Sequence, residues 1–438
     1  MRAEAHNRDV SFPQSFGGDG VTPLKPRVTI VGGGLTGILA AFQAHRMGVQ
    51  DIELYERLDQ LGGVARPELR DGREIREGCI YFGPKGDPMR SLLEEHGAMF
   101  EDFDNCFGSV SPAADGLAIT KDFGGPALQA SSIDLSPLRG ESLADRLACY
   151  DQELTGPLRQ YVQWHVGRDA SELHASAAVP LAINRVYPAN AKLETLAQAK
   201  RTDELANELF GIPRSLWGYT SNTQASLPAG GFTQLFSHCH AALSSIGVRI
   251  HERSLATPKK MLSKENSGDI LVWAASPIPL YKAVGLDVPK APARKFATYT
   301  FEARWTGPVP FYVQNFTTEG SCFRVYIYES AGSLLLTAEC VERVDEEDLT
   351  SQITQLLDGF DGKLTIGDLI FRTVKPRWLY HSVDTIDSLG ALRSSLKAHK
   401  GENFIAGAWE AYGKDDKFAE VEAGLLKALE IYQTVEAV

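Results

Sequence analysis

The stretch that most constrains this chain is Val28-Thr-Ile-Val-Gly-Gly-Gly-Leu-Thr-Gly-Ile-Leu-Ala40. Val28 to Val31 is a short apolar, β-branched run of the kind that forms a strand buried on both faces. It ends in Gly32-x-Gly34-x-x-Gly37, after which Leu35, Ile38, Leu39 and Phe42 recur at helical spacing. Strand, glycine turn and helix in this order make a dinucleotide cradle. Gly32 permits the tight turn, Gly34 lets backbone approach a pyrophosphate, and Gly37 lets the helix lie close on the strand. The N–H groups of Leu35 and Thr36, at the positive end of the helix dipole, then face the phosphates. A second strand, Asp51-Ile-Glu-Leu-Tyr-Glu56, ends in an acid 24 residues past Gly32. Glu56 is placed to accept hydrogen bonds from an adenosine ribose, with Arg57 beside it. Leu61-Gly62-Gly63-Val64-Ala65-Arg66 follows. Adjacent glycines directly after the ribose-binding acid bring more backbone against the cofactor, and this second pair points to FAD rather than NAD.

At 438 residues the chain exceeds one simple core, so two or three domains are expected. Residues 1–25 are polar and rich in Gly, Pro and charge, and read as a flexible leader. No run of about 18 apolar residues occurs, so no membrane span is expected. The net charge of −12 disfavours nonspecific nucleic-acid binding. Cysteines at 79, 106, 149, 239, 322 and 340 show no pairing pattern, which fits reduced thiols in a cytoplasm. His238-Cys239-His240 sits in a predicted helix, where residues two apart face differently, and no metal site is assigned. A homodimer is one admissible assembly.

The fold class expected is α/β: a Rossmann-like FAD-binding domain of the GR2 type, a helical subdomain and an inserted antiparallel sheet that forms the substrate domain. The cofactor domain is expected to be discontinuous, comprising 26–90, 226–275 and 385–438. Segment 91–225 reads as largely helical, with helix spacing over 142–166 and a charged helix over 192–210. Gly78 to Gly83 reads as a short strand. In 276–384, Phe296–Phe301 and Phe323–Tyr328 alternate as half-buried antiparallel strands do. Phe404-Ile-Ala-Gly-Ala-Trp409 reads as a strand and glycine turn before a terminal helix from about 416 to 434.

This arrangement resembles the flavin amine oxidase superfamily, and several stretches are similar to its UDP-galactopyranose mutase branch. Gln163-Trp164 with Gly167-Arg168-Asp169 resembles that family's Q-W-G-R-D segment, and Arg185 falls near its substrate arginine. Pro228-Ala-Gly-Gly-Phe232 is similar to its P-x-G-G-Y stretch beneath the flavin. Asn315 to Glu329, with Arg324, resembles the strand whose arginine contacts the substrate diphosphate. Gly407-Ala-Trp-Glu-Ala-Tyr412, followed by Asp416, is similar to the closing motif at the cofactor. Two departures stand out. Ile80 occupies the place of a flavin-facing histidine, and of two closing tyrosines only Tyr412 remains.

The resemblance implies an enzyme whose reduced FAD attacks the anomeric carbon of a nucleotide sugar, expels the nucleoside diphosphate and exchanges pyranose for furanose. An electron donor would keep the flavin reduced. Arg324 and Arg185 would hold the diphosphate, since a guanidinium chelates two phosphate oxygens. Trp164 would stack on the base, with Tyr412 and Tyr326 bordering the pocket. Arg324 shares a strand face with Tyr326 and Tyr328, whereas Phe323, Val325 and Ile327 are expected on the other. No protein residue is assigned as catalytic. The alternative is a FAD-dependent oxidoreductase that passes hydride from an amine, alcohol or alkene to flavin N5.

Overall fold

Val28 and Ile30 are wholly buried, and the strand that carries them, β1 (Arg27–Val31), is the middle of a five-stranded sheet. The computed structural model describes residues 26–436 apart from 79, 105, 114–115, 121–128, 131–140, 151, 184–186, 189–197, 199–223 and 264–268. The further strands are β2 (Asp51–Tyr55), β3 (Glu68–Arg70), β4 (Arg73–Ile75), β5 (Phe100–Asp104), β6 (Phe107–Ala113), β7 (Gly116–Thr120), β8 (Gln129–Ala130), β9 (Tyr187–Pro188), β10 (Gln224–Pro228), β11 (Arg249–His251), β12 (Ile270–Trp273), β13 (Ala293–Trp305), β14 (Phe311–Asn315), β15 (Cys322–Ser330), β16 (Ser333–Cys340), β17 (Leu364–Leu379) and β18 (Phe404–Ala406). The helices are α1 (Leu35–Arg46), α2 (Pro88–Glu95), α3 (Leu143–Leu147), α4 (Gln152–Val166), α5 (Gly231–Ser245), α6 (Pro258–Met261), α7 (Ile278–Ala283), α8 (Glu346–Leu357), α9 (Val383–Lys400) and α10 (Lys414–Glu436).

The first sheet runs β11-β2-β1-β12-β18, parallel throughout. Parallel sheets need cover on both faces, which is why its strands read as unbroken apolar runs. Ile30, Ile52 and Val272 pack under α1, α2, α5 and α10, while Val31, Leu271 and Trp273 pack under α7 and α9. The second sheet runs β17-β13-β16-β15-β14-β6-β7, antiparallel except where β14 meets β6. Leu349, Ile353 and Leu356 of α8 cover one of its faces, in one core with Val325 and Ile327 of β15. Its other face receives α3 and α4 at one end and β4 at the other.

Three expectations need correction. The segment 91–225 is not uniformly helical: it holds β5, and β6 and β7 extend the second sheet, so that sheet is not built from one inserted segment. Phe107-Gly-Ser-Val-Ser-Pro112 has weak strand propensity, and pairing with β14 supplies the ladder that propensity does not. Among the described residues of Gly78–Gly83 only Phe82 bridges, to Ser226, and Gly78 enters the segment at φ +141°, outside the extended range of a strand. Phe323 leaves the Val325 and Ile327 face, because a bulge between Cys322 and Arg324 turns it toward His165 and Phe296. The leader and, apart from residue 198, the helix expected over 192–210 lie outside the described residues.

His165 of α4 is 2% exposed, enclosed by Phe296 and Phe323, and its Nε2 lies 2.9 Å from the Tyr380 hydroxyl. Burial, reinforced by the charges of Arg324 and Arg294, pulls its pKa down to about 3. The folded state therefore refuses a proton that the unfolded chain takes up near pH 6.5. Stability is unaffected above that pH and falls as pH drops toward 3, by up to about 1.4 kcal/mol per pH unit. Urea midpoints measured between pH 7 and pH 4 should show this slope, and His165→Gln should flatten it.

Candidate functional site

Both glycine loops are fixed by one carboxylate. Glu56, 7% exposed at the end of β2, accepts the Gly33 N–H on Oε2 and the Leu58 N–H on Oε1, each at 2.7 Å. Gly62 N–H donates to Gly33 O at 2.8 Å, so the second loop is tied to the first. A carboxylate has about four lone-pair directions, so Glu56 retains acceptor capacity for a ribose hydroxyl while it bonds the backbone. Close approach dictates the glycines. A Cβ at Gly37 would sit 1.8 Å from Gly32 O, and one at Gly63 would sit 2.9 Å from Gly34 Cα. Gly34, the N-cap of α1, offers no side-chain acceptor, so the first N–H groups of α1 remain for a phosphate.

From this cradle a cavity of about 1960 Å³ extends inward between the two sheets. Of the residues expected at the cofactor, Gly32, Gly34, Leu35, Thr36, Glu56, Arg57, Gly62, Gly63, Val64 and Tyr412 line it. Gly37 lies beneath the turn, and Gly407 donates its N–H to Trp273 O at 3.0 Å, packing β18 on β12. Asp416 is exposed and does not line the cavity. Apolar side chains stand unusually bare along the wall: Val64 is fully exposed and Leu255 is 71% exposed. Such surface is suited to a flat ring system. The cradle, the second glycine loop and this wall fit a dinucleotide carrying aromatic rings.

The inner end is walled by Ile80, Tyr81, Lys375, Arg377 and Tyr412. The Tyr412 hydroxyl oxygen accepts the His381 N–H at 2.7 Å. Burial raises the Tyr412 phenol well above its ordinary range, so it stays protonated. Lys375 pairs with Glu77, and Arg377 pairs with Glu339.

The residues expected to grip a nucleotide are placed elsewhere. Arg324 is buried against Glu339, which is 1% exposed, and lies near the rings of Tyr312 and Tyr326. Neither Arg324 nor Tyr326 lines the cavity. The Tyr326 hydroxyl donates to Arg76 O, which joins β15 to the cofactor-binding half. Trp164 packs beside Tyr161 in the α4 core, and its carbonyl accepts from Arg294. Arg185 lies outside the described residues. The pattern Arg324-x-Tyr326-x-Tyr328 does mark a face turned inward, but that face is closed by protein. Arg377, Lys375 and Lys417 of the cavity wall were not foreseen, since they stand in no motif; only the strand–helix junctions that carry them could have drawn attention to them.

The first sheet, the glycine turn and the Glu56 contact define a Rossmann-like dinucleotide-binding fold. Residues 30–95 match the family model of an NAD(P)-binding Rossmann-like domain. Tryptophan 2-monooxygenase of Pantoea agglomerans pv. gypsophilae is 50% identical over 79 residues, which is 17% of this chain and 14% of that protein. The match therefore spans about one seventh of that relative's length. Among solved structures, reduced UDP-galactopyranose mutase superposes with TM-score 0.63 at 12% identity, covering 93% of this chain and 96% of that one. Putrescine oxidase bound to putrescine gives TM-score 0.54 at 14% identity, covering 93% and 99%. The whole architecture is shared with these flavoprotein folds.

Two substitutions test the site. Gly37→Ala forces its new methyl against Gly32 O; calorimetry should show a loss of about 1–3 kcal/mol, together with weakened dinucleotide retention. Glu339→Gln leaves Arg324 and Arg377 without their shared countercharge; urea unfolding should show a loss of about 3–5 kcal/mol, as when one partner of a buried ion pair is removed.

Proposed function

We propose that this chain is a FAD-dependent oxidoreductase that takes a hydride equivalent from a small organic substrate at the inner end of the cavity. The observation that carries this reading is the continuity of one cavity, about 1960 Å³, from the Glu56 cradle to the chamber at Ile80, Tyr81 and Tyr412. A pocket for one small ligand measures about 300–1,000 Å³. The space here suits an extended dinucleotide with a modest substrate beyond it. FAD, when bound, supplies a two-electron acceptor. The cradle holds its adenosine and phosphates through backbone N–H groups and Glu56. Phe236 packs against the Gly62 loop of the cradle, Ile80 and Phe232 add apolar surface to the wall, and Tyr81 and Tyr412 present hydroxyl-bearing rings to the chamber. The likeness to tryptophan 2-monooxygenase and to putrescine oxidase supports a redox reading.

The nucleotide-sugar mutase reading requires a grip on a diphosphate. Arg324 is committed to Glu339 and lies off the cavity, and Tyr326 and Trp164 do not line it either, so these three lend that grip no support.

The test begins with the purified chain, which should be yellow and release FAD on denaturation. Under anaerobic conditions a panel of amines, alcohols and amino acids should contain a compound that bleaches the flavin, and oxygen or a dye should restore the colour. Isomerisation of a UDP-sugar by pre-reduced protein, with no acceptor consumed, would overturn the redox reading in favour of the mutase. A colourless chain that carries NAD or no dinucleotide would overturn both.

A further inference from the structure

One cation on the cavity wall has no role in the cradle. Lys417 stands in the first turn of α10 and lines the cavity. Among the described residues no carboxylate pairs with it. Nearby acids are engaged elsewhere: Asp415 pairs with Lys414 at 2.8 Å, while Glu410 and Glu420 pair with Arg393 at 2.5 and 3.0 Å. Asp416, the remaining acid of that turn, is exposed beside Gly413.

Two terms oppose a charged amine at this place. An ammonium in a first turn faces the positive end of the helix dipole. Partial burial removes water from it and lowers its pKa from the ordinary lysine range. The described residues offset neither term, whereas an anion in the cavity would offset both. The position along the cavity indicates which anion. The N-terminus of α1 already serves the phosphates. Lys417 instead follows Tyr412 closely in the chain: its backbone N–H reaches Gly413 O at 3.3 Å, and Tyr412, beside Gly413 on the same cavity wall, accepts the His381 N–H at 2.7 Å. His381 follows β17, the strand that brings Lys375 and Arg377 to the inner end.

We propose that Lys417 is a cofactor-tuning residue that stabilises the negative charge a flavin ring acquires on two-electron reduction. The inference rests on the FAD reading above. Two electrons and one proton from the substrate leave one negative charge on the ring, and the Lys417 ammonium supplies the countercharge within the low-dielectric chamber. The oxidised ring is neutral and gains little from it, so the lysine acts on the difference between the two states.

The experiment uses the full chain loaded with FAD, as parent, Lys417→Met and Lys417→Arg. FAD released per chain is measured first, then the midpoint potential by equilibration with a reference dye. Lys417→Met should keep the parent's FAD content and lose about tenfold in its preference for the reduced form, a fall of about 30 mV for a two-electron couple. Lys417→Arg, which keeps the charge, should recover most of that shift. An unchanged potential in FAD-loaded Lys417→Met overturns the proposal. Loss of FAD with an unchanged potential in the loaded fraction also overturns it, and would assign the lysine to the phosphates. A parent chain that holds no FAD fails at the first measurement, which removes the cofactor reading and this inference together.

Discussion

The architecture of the site depends on the Glu56 carboxylate. Two backbone N–H groups, those of Gly33 and Leu58, converge on it from opposite sides of the chain crossing. Hydrogen bonds to a charged group contribute about 1.5–3 kcal/mol each, so this one side chain outweighs several ordinary loop contacts. Its effect is geometric as well. With Gly33 held, Gly33 O is aimed at the Gly62 N–H, and the second glycine loop is laid against the first. A cradle made of two flexible loops becomes a fixed surface before any ligand arrives, which lowers the ordering cost of binding.

The second sheet is joined to this cradle by polar contacts at β4. Tyr328 Oη accepts the Arg76 N–H at 2.9 Å, the Tyr326 hydroxyl donates to Arg76 O, and Ser330 Oγ accepts the Glu74 N–H at 2.7 Å. The Glu74 side chain then accepts the N–H groups of Phe232 and Thr233, at 3.1 and 2.6 Å, at the uncapped start of α5. Strand β15, the short β4 segment and a helix of the first sheet are thus linked through Glu74 and Arg76. Arg76 itself lies between the rings of Phe232 and Tyr328. The inner end of the cavity is formed where these pieces meet, so its shape follows from how the two sheets dock.

The cofactor half was legible because its chemistry is local. Gly32, Gly34, Gly37 and Glu56 are constrained by backbone approach within one strand–turn–helix–strand unit, and such constraints leave fixed spacings. The inner half was less legible because it is assembled from distant segments: Ile80 and Tyr81 from the loop after β4, Arg377 from β17, and Tyr412 and Lys417 around the start of α10. No spacing in the chain encodes their meeting. Strands β6 and β7 were missed for a related reason. Their ladder partner β14 lies about 200 residues away in the chain, and small residues such as Gly108, Ser109 and Ser111 read locally as a loop.

Arg324 shows how a correct local reading can lead to the wrong role. Its strand does alternate, and Arg324, Tyr326 and Tyr328 do turn away from the α8 core, as the pattern implies. Sequence spacing gives the face but not what covers it. Here Arg324 is met by Glu339 on the neighbouring strand β16, directly paired with it in the ladder register. Arg377 reaches the same carboxylate from β17, on the far side of β13. One buried acid therefore fixes two arginines, and only Arg377 continues to the cavity wall. An isolated buried charge is costly, so removing any one of the three leaves the others uncompensated. The set couples the interior of the second sheet to the chamber: moving Glu339 would move the Arg377 guanidinium on the cavity wall.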